Sequence, residues 1–137
     1  MTTTCTRFLE FDAAHRLVNH ESLCAHLHGH RYRAEIECAS PLDAIGRVVD
    51  FSVIKERVGG WIAERWDHAA IVNVDDAPLL ALLDGIGERR VYRLDGNPTA
   101  ENIAAELLRV AAPMLAPIRV VRVRIWETPN CYAEVRA

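Results

Sequence analysis

Between residues 28 and 38 the chain alternates without a break. Tyr32, Ala34, Ile36 and Cys38 fall on one side, and Arg31, Arg33, Glu35 and Glu37 on the other. Period two over that length marks a strand, and His28 and His30 continue its apolar side. A weaker alternation over residues 4–13 groups Leu9, Phe11 and Ala13. Residues 118–127 predict a third strand, with Val121, Val123 and Ile125 sharing a side that Glu127 extends. After the turn Thr128-Pro129-Asn130, residues 131–136 return as a fourth.

Elsewhere the period changes. Over residues 51–65, Phe51, Ile54, Val58 and Trp61 recur at helical spacing, and Asp50 stands where a cap belongs. Gly59 and Gly60 weaken the middle of that helix. A second helix follows the turn Asp95-Gly96-Asn97-Pro98, with Ile103, Leu107, Val110 and Met114 on its inner side. Residues 14–27 read as a loop. Residues 75–87 read as a turn-rich excursion with one short helix near Leu79–Leu83, and residues 89–94 as a short strand. The order ββααββ, with four strands, predicts an α+β fold with an antiparallel sheet. So small a sheet leaves two edges to be covered or paired.

The 137 residues are one ordinary domain, with no repeat, linker or low-complexity tract. Net charge is −3, and Arg119, Arg122 and Arg124 alternate with valines as the wet side of a strand. No basic stripe of a nucleic-acid binder is present. Met1–Arg7 lacks the apolar stretch of a secretory signal, and no apolar run approaches the roughly 20 residues of a membrane span. The expectation is a cytoplasmic chain in which Cys5, Cys24, Cys38 and Cys131 are thiols.

Histidine usage is uneven: five of the six lie between His15 and His30. Residues i and i+2 of a strand point the same way, so His28 and His30 leave one face together, and that face is the apolar one. Unpaired buried imidazoles cost free energy, and a metal removes that cost. Three imidazoles around zinc with an open fourth position make a catalytic site. His15 shares the parity of Leu9, Phe11 and Ala13 and serves as third ligand if the first strand reaches it; His20 and His26 compete for the place.

Cys24 precedes His28 by four residues. Beside a cation it has a lowered pKa and acts as base or nucleophile, or it closes the site as a fourth ligand; the spacing fits both. Asp67 and His68 follow the first helix and, as sequence neighbours, read as two separate groups of one pocket. Glu127 ends an apolar strand face, placed to accept paired N–H groups of a ligand. Glu101 reads as a first-turn acid complementing the helix dipole.

These residues fall in motifs: Phe11-Asp12-Ala13-Ala14-His15-Arg16-Leu17, Cys24-x3-His28-Gly29-His30, Val49-Asp50-Phe51, Trp66-Asp67-His68, Pro98-Thr99-x-Glu101-Asn102 and Glu127-Thr128. In that order, over the whole chain, they resemble the 6-pyruvoyl-tetrahydropterin synthase and 6-carboxy-tetrahydropterin synthase family. The resemblance implies the tunnelling fold, a four-stranded antiparallel sheet with two helices packed on one face, with subunits joined into trimers and hexamers and active sites between subunits. It implies zinc on His15, His28 and His30, and Cys24 as proton acceptor supported by His68 and Asp67. Glu127 would grip the pterin, with Thr99 near the pterin end. The implied substrate is a reduced pterin, 7,8-dihydroneopterin triphosphate. The implied product is 6-carboxy-tetrahydropterin, in a 7-deazaguanine (queuosine-type) pathway. Formation of 6-pyruvoyl-tetrahydropterin or a related side-chain cleavage is the alternative.

The chain departs from the family pattern at Arg31, which follows His-Gly-His, and in the long segment 75–95. From other classes, a zinc- or pterin-binding protein without turnover, and a hydrolase using zinc-bound water with Glu127 as base, fit the same residues. The role of Cys24 separates them.

Overall fold

A computed structural model describes all of residues 1–137. Strand β1 (Thr4–His15) pairs antiparallel with β2 (His28–Ala39) along its full length, and β2 pairs antiparallel with β5 (Arg119–Thr128), which pairs with β6 (Cys131–Arg136). These are the four expected strands. The sheet has two more: β3 (Ala69–Asn73) and β4 (Val91–Leu94) extend it in parallel beyond β1. The expectation of a four-stranded antiparallel sheet in the order ββααββ is therefore corrected to a mixed six-stranded sheet, ordered β4-β3-β1-β2-β5-β6. All five residues of β3 are buried. A strand covered on both faces carries no alternation to read.

Three helices cover the sheet. Helix α1 spans residues 51–65, with a π-helical stretch, Lys55–Gly59, between α-helical segments Phe51–Ile54 and Gly60–Arg65. Asp50 caps it, accepting from the Ser52 amide at 2.9 Å. The inward residues are Ile54, Val58 and Ile62, while Phe51 is exposed. The wide turn lengthens the local repeat to four residues, so that Ile62 rather than Trp61 follows Val58 inward. Helix α3 (Ala100–Leu115) buries Ile103, Ala104, Leu107, Ala111 and Leu115, so small alanines rather than Val110 and Met114 complete its face. Both helices pack on the sheet side formed by Leu9, Phe11, Tyr32, Ala34, Ile36, Val123 and Ile125.

Helix α2 (Ala77–Gly85) lies on the other side, its Leu79 and Leu83 against Ala70 and Val72. Asp76 starts it, accepting from the Leu79 amide, and is gripped through both carboxylate oxygens by Arg16. This nearly buried pair holds Asp76 below the usual carboxylate range, chiefly through the Arg16 hydrogen bonds. A carboxyl with a lowered folded-state pKa adds stability above its unfolded pKa and loses it on acidification. Asp76→Asn keeps the cap but breaks the ion pair. It is expected to cost about 1–2 kcal/mol at pH 7, a deficit that shrinks below about pH 4. Urea titrations at pH 7 and pH 3.5 measure it; an equal deficit at both rules out the ionic origin.

No helix is long and apolar enough to cross a membrane. The strand face opposite α1 and α3 carries interlocked ions, not the freely wet arginines expected: Arg122 is buried among Glu35, Glu37 and Glu134. A bulge at Glu37/Cys38 lets Val120, not Val121, face the core opposite Cys38.

Candidate metal centre

The β1–β2 register sets His15 directly across from His28, with His30 across from Ala13. All three imidazoles leave the core face of two neighbouring strands. The Nε2 atoms of His15 and His28 lie 3.1 Å apart, and those of His28 and His30 lie 3.0 Å apart. Glu127 Oε1 stands 2.9 Å from His30 Nε2 and 3.6 Å from His15 Nε2. Glu127 reaches this position from a second bulge: β5 and β6 pair at Trp126–Tyr132 and Thr128–Cys131, leaving Glu127 unopposed. Bulges re-aim side chains in this way.

Proton accounting shows what the cluster can hold. His15 Nδ1 lies 2.7 Å from the Pro98 carbonyl oxygen, and His28 Nδ1 lies 2.6 Å from that of His26. A carbonyl oxygen only accepts, so both Nδ1 atoms carry the proton and donate it, and both Nε2 atoms bear lone pairs. Between neutral imidazoles this sets Nε2 lone pairs face to face, an arrangement that a shared cation relieves. Tetrahedral bonds of zinc to nitrogen separate ligand atoms by roughly 3.3 Å, close to the spacings here. Burial lowers the pKa of both His15 and His30 and so favours the neutral, ligating form. The donor set of three neutral imidazoles and a carboxylate fits a divalent metal.

The other expected residues are dispersed around this centre. His20 accepts from the Ser22 amide, and His26 supplies only its carbonyl; neither joins the cluster. Cys24 sits on a single 3-10 turn, Leu23–Ala25, whose loop is closed by the Leu17 amide donating to the Cys24 carbonyl at 2.9 Å. It is half-buried and is not among the four side chains whose ligand atoms lie within 4.8 Å of one another. Thr99 is the N-cap of α3, its hydroxyl accepting from the Asn102 amide. It follows Pro98, whose carbonyl orients His15. Glu101 is exposed in the first turn of α3, as expected.

Asp67 and His68 do contact each other, contrary to the expectation for sequence neighbours. His68 takes a left-handed φ of 60°, which folds its ring back so that Nδ1 lies 3.0 Å from Asp67 Oδ2. The Asp12 amide donates to Asp67 Oδ1, and the His68 amide donates to the Asp12 carbonyl. Arg31 clamps Asp12 and Glu10 at 3.0 and 3.1 Å. By strand parity Asp12 and Arg31 lie on the face opposite the histidines. Beside them a cavity of about 550 Å³ is lined by Leu27, Gly29, Arg31, His68 and Leu83. The segment 75–95 buttresses this corner through Arg90, which donates to the carbonyls of Ala63 and Asp67. A larger cleft of about 820 Å³ follows β1 beside α1, between Arg7, Glu10, Lys55 and Gly59. Its volume is greater, but the convergent ligand atoms are at the histidines.

Sequence reasoning missed Asn97, Pro98 and Tyr32. Asn97 ties Val18 to the turn before α3 by bonds to both its amide and its carbonyl. The Asn97-Pro98 turn was visible in the sequence; that its carbonyl orients a ligand was not.

A strand pair presenting three imidazoles beside a carboxylate, with two helices behind it and a separate His–Asp pair, defines a small α+β protein with a candidate metal centre. The chain belongs to the 6-pyruvoyl tetrahydropterin synthase family, whose pattern matches residues 4–137. It is 42% identical over 135 residues to a Rickettsia bellii protein named 6-carboxy-5,6,7,8-tetrahydropterin synthase, covering 96% of this chain and 98% of that one. A Haemophilus influenzae protein of the same name is 30% identical over 131 residues, covering 90% and 92%. Among solved structures, an uncharacterized Wolinella succinogenes protein superposes with a TM-score of 0.86 at 23% identity, covering 99% and 98%. The Caenorhabditis elegans 6-pyruvoyl tetrahydropterin synthase superposes at 0.71 and 20% identity, covering 100% and 96%. These two share the fold.

Proposed function

We propose that the chain is a zinc-dependent lyase that converts 7,8-dihydroneopterin triphosphate and water to 6-carboxy-5,6,7,8-tetrahydropterin, releasing triphosphate and acetaldehyde. One observation carries the reading: the Nε2 atoms of His15, His28 and His30 converge while the Nδ1 protons of His15 and His28 are spent on backbone carbonyls. The name of the relatives at 42% and 41% identity favours the 6-carboxy product over 6-pyruvoyl-tetrahydropterin. His15, His28 and His30 would hold zinc, which when bound supplies Lewis-acid polarisation of the substrate's side-chain hydroxyls. Cys24, half-buried in the loop leading to His28, takes up the proton. Glu127 has two duties open to it. Its carboxylate completes the ligand set, or swings to accept the paired N–H groups of the pterin in a charge-assisted contact. Thr99, at the Pro98 turn, would line the pterin end.

His68 and Asp67 are the proton-transfer pair. In their own chain their polar atoms cluster with Asp12 and not with the three ligating histidines, which supports their serving the centre of a neighbouring copy in a homotrimer or homohexamer. The edges for such joining are present. β3 pairs with β1 only at Ala13 and Ala14, leaving most of one β1 edge unpaired, and β6 is the other edge. The pathway is that of 7-deazaguanine (queuosine-type) nucleosides, in the cytoplasm.

The test is turnover of 7,8-dihydroneopterin triphosphate by zinc-loaded protein, with products identified by mass. Cys24→Ala is expected to lower turnover by about 10²–10⁴-fold while keeping its zinc. Mixed oligomers of Cys24→Ala and His68→Ala chains are expected to regain part of the activity, because some sites then receive both intact groups. Turnover by Cys24→Ala at the wild-type rate would favour hydrolysis by zinc-bound water. A zinc-replete protein that binds the pterin but forms no product would be a binding protein.

A further inference from the structure

Tyr32 lies two residues beyond His30 on β2 and is fully buried. Its ring stacks on Phe11 at 5.1 Å and meets the His30 and His15 rings edge-on at 5.5 and 5.9 Å. Its hydroxyl is 3.1 Å from His15 Nδ1, the nitrogen that also faces the Pro98 carbonyl at 2.7 Å. That nitrogen has one proton to give, and two oxygens surround it. An Nδ1 without the proton would set a lone pair against the Pro98 oxygen, so the proton resides there and the Tyr32 oxygen is its second acceptor.

We propose that Tyr32 is a positioning residue of the metal centre: by receiving the His15 Nδ1 proton alongside Pro98, it fixes the tautomer and ring angle that present His15 Nε2 to the cation. Partners of this kind around a ligating histidine contribute 10- to 100-fold to metal affinity. His28 has a single backbone acceptor at the same atom. His15 is thus held by two oxygens, one of them on the strand that carries the other two ligands.

The inference rests on the metal-centre reading, and the experiment separates the two. Tyr32→Phe keeps the ring, the stacking and the volume and removes only the hydroxyl. Zinc affinity of wild type and variant is measured by competition with a chromophoric chelator, together with the visible spectrum of the cobalt-substituted proteins. Expected are one zinc per wild-type chain, a roughly 10- to 100-fold weaker affinity in the variant, and a shifted cobalt spectrum. Melting of the metal-free proteins should nearly coincide. Equal affinities and spectra overturn the role of Tyr32 and leave the metal centre standing, as does a variant that melts earlier with unchanged affinity. A wild type that takes up no metal removes the centre and this inference with it. Independently of any variant, nitrogen NMR of the zinc-loaded wild type should show His15 as the Nδ1–H tautomer; the other tautomer overturns the proposal.

Discussion

His28→Ala is expected to strip the protein of its cation and to lower turnover by roughly 10³-fold or more, since a Lewis acid supplies several kcal/mol of barrier reduction. His28 is the middle of the triad, about 3 Å from both other Nε2 atoms, so its loss leaves two ligands that no longer close on one point. Elemental analysis beside the pterin assay reads both effects. His20→Ala and His26→Ala should keep metal and activity, because His20 lies outside the cluster and His26 contributes only its backbone carbonyl. A His28→Ala protein with a full metal complement would overturn the centre.

Phe11→Ala is expected to cost about 3–5 kcal/mol in folding stability and roughly 10–20 °C in melting temperature. Phe11 is fully buried on the strand paired with β2, stacked on Tyr32 and 5.4 Å from the Trp66 ring. The cavity it leaves lies between a helix-packed core and the floor of the metal centre. Urea and thermal unfolding measure the loss. A cost below about 1 kcal/mol would mean that the surrounding aromatic rings collapse into the space. Metal added to the variant should recover part of the deficit, because a ligand that binds only the folded state stabilises it.

The triad was legible because a strand has a fixed period. Once Tyr32, Ala34 and Ile36 mark the inner side of β2, His28 and His30 follow by parity, and His15 follows from β1 by the same rule. Parity failed where the backbone breaks it. The bulge opposite Glu37/Cys38 shifts Val120 inward, and no residue type in β5 announces it, whereas Glu127 lies on the side that parity gave it, beside His30. Asp67 and His68 meet only through a left-handed φ. β3 was missed because Ala-Ala-Ile-Val-Asn is buried on both faces, and β4 was noticed without its partner. In α1 the glycines marked the irregularity correctly but not its outcome, a π-turn that brings Ile62 inward. The reach of Arg90 and Pro98 across the fold depends on long-range packing, which local pattern does not encode.

His28 and His30 sit on the end of β2 that pairs with β1 alone, with His15 across from His28, while from Arg33 onward β2 is hydrogen-bonded to β1 on one side and β5 on the other. Amide hydrogens of that doubly paired stretch, Arg33–Ala39, should be among the slowest in the molecule to exchange with solvent, with or without a cation. In a small zinc domain that is unfolded until loaded, metal release and unfolding are one event; on this sheet they would be separable. An ion held there would leave and return past the half-buried His28, His30 and Glu127 while the scaffold stays shut. Its residence time would be set by ligand exchange and access, not by the lifetime of the native state.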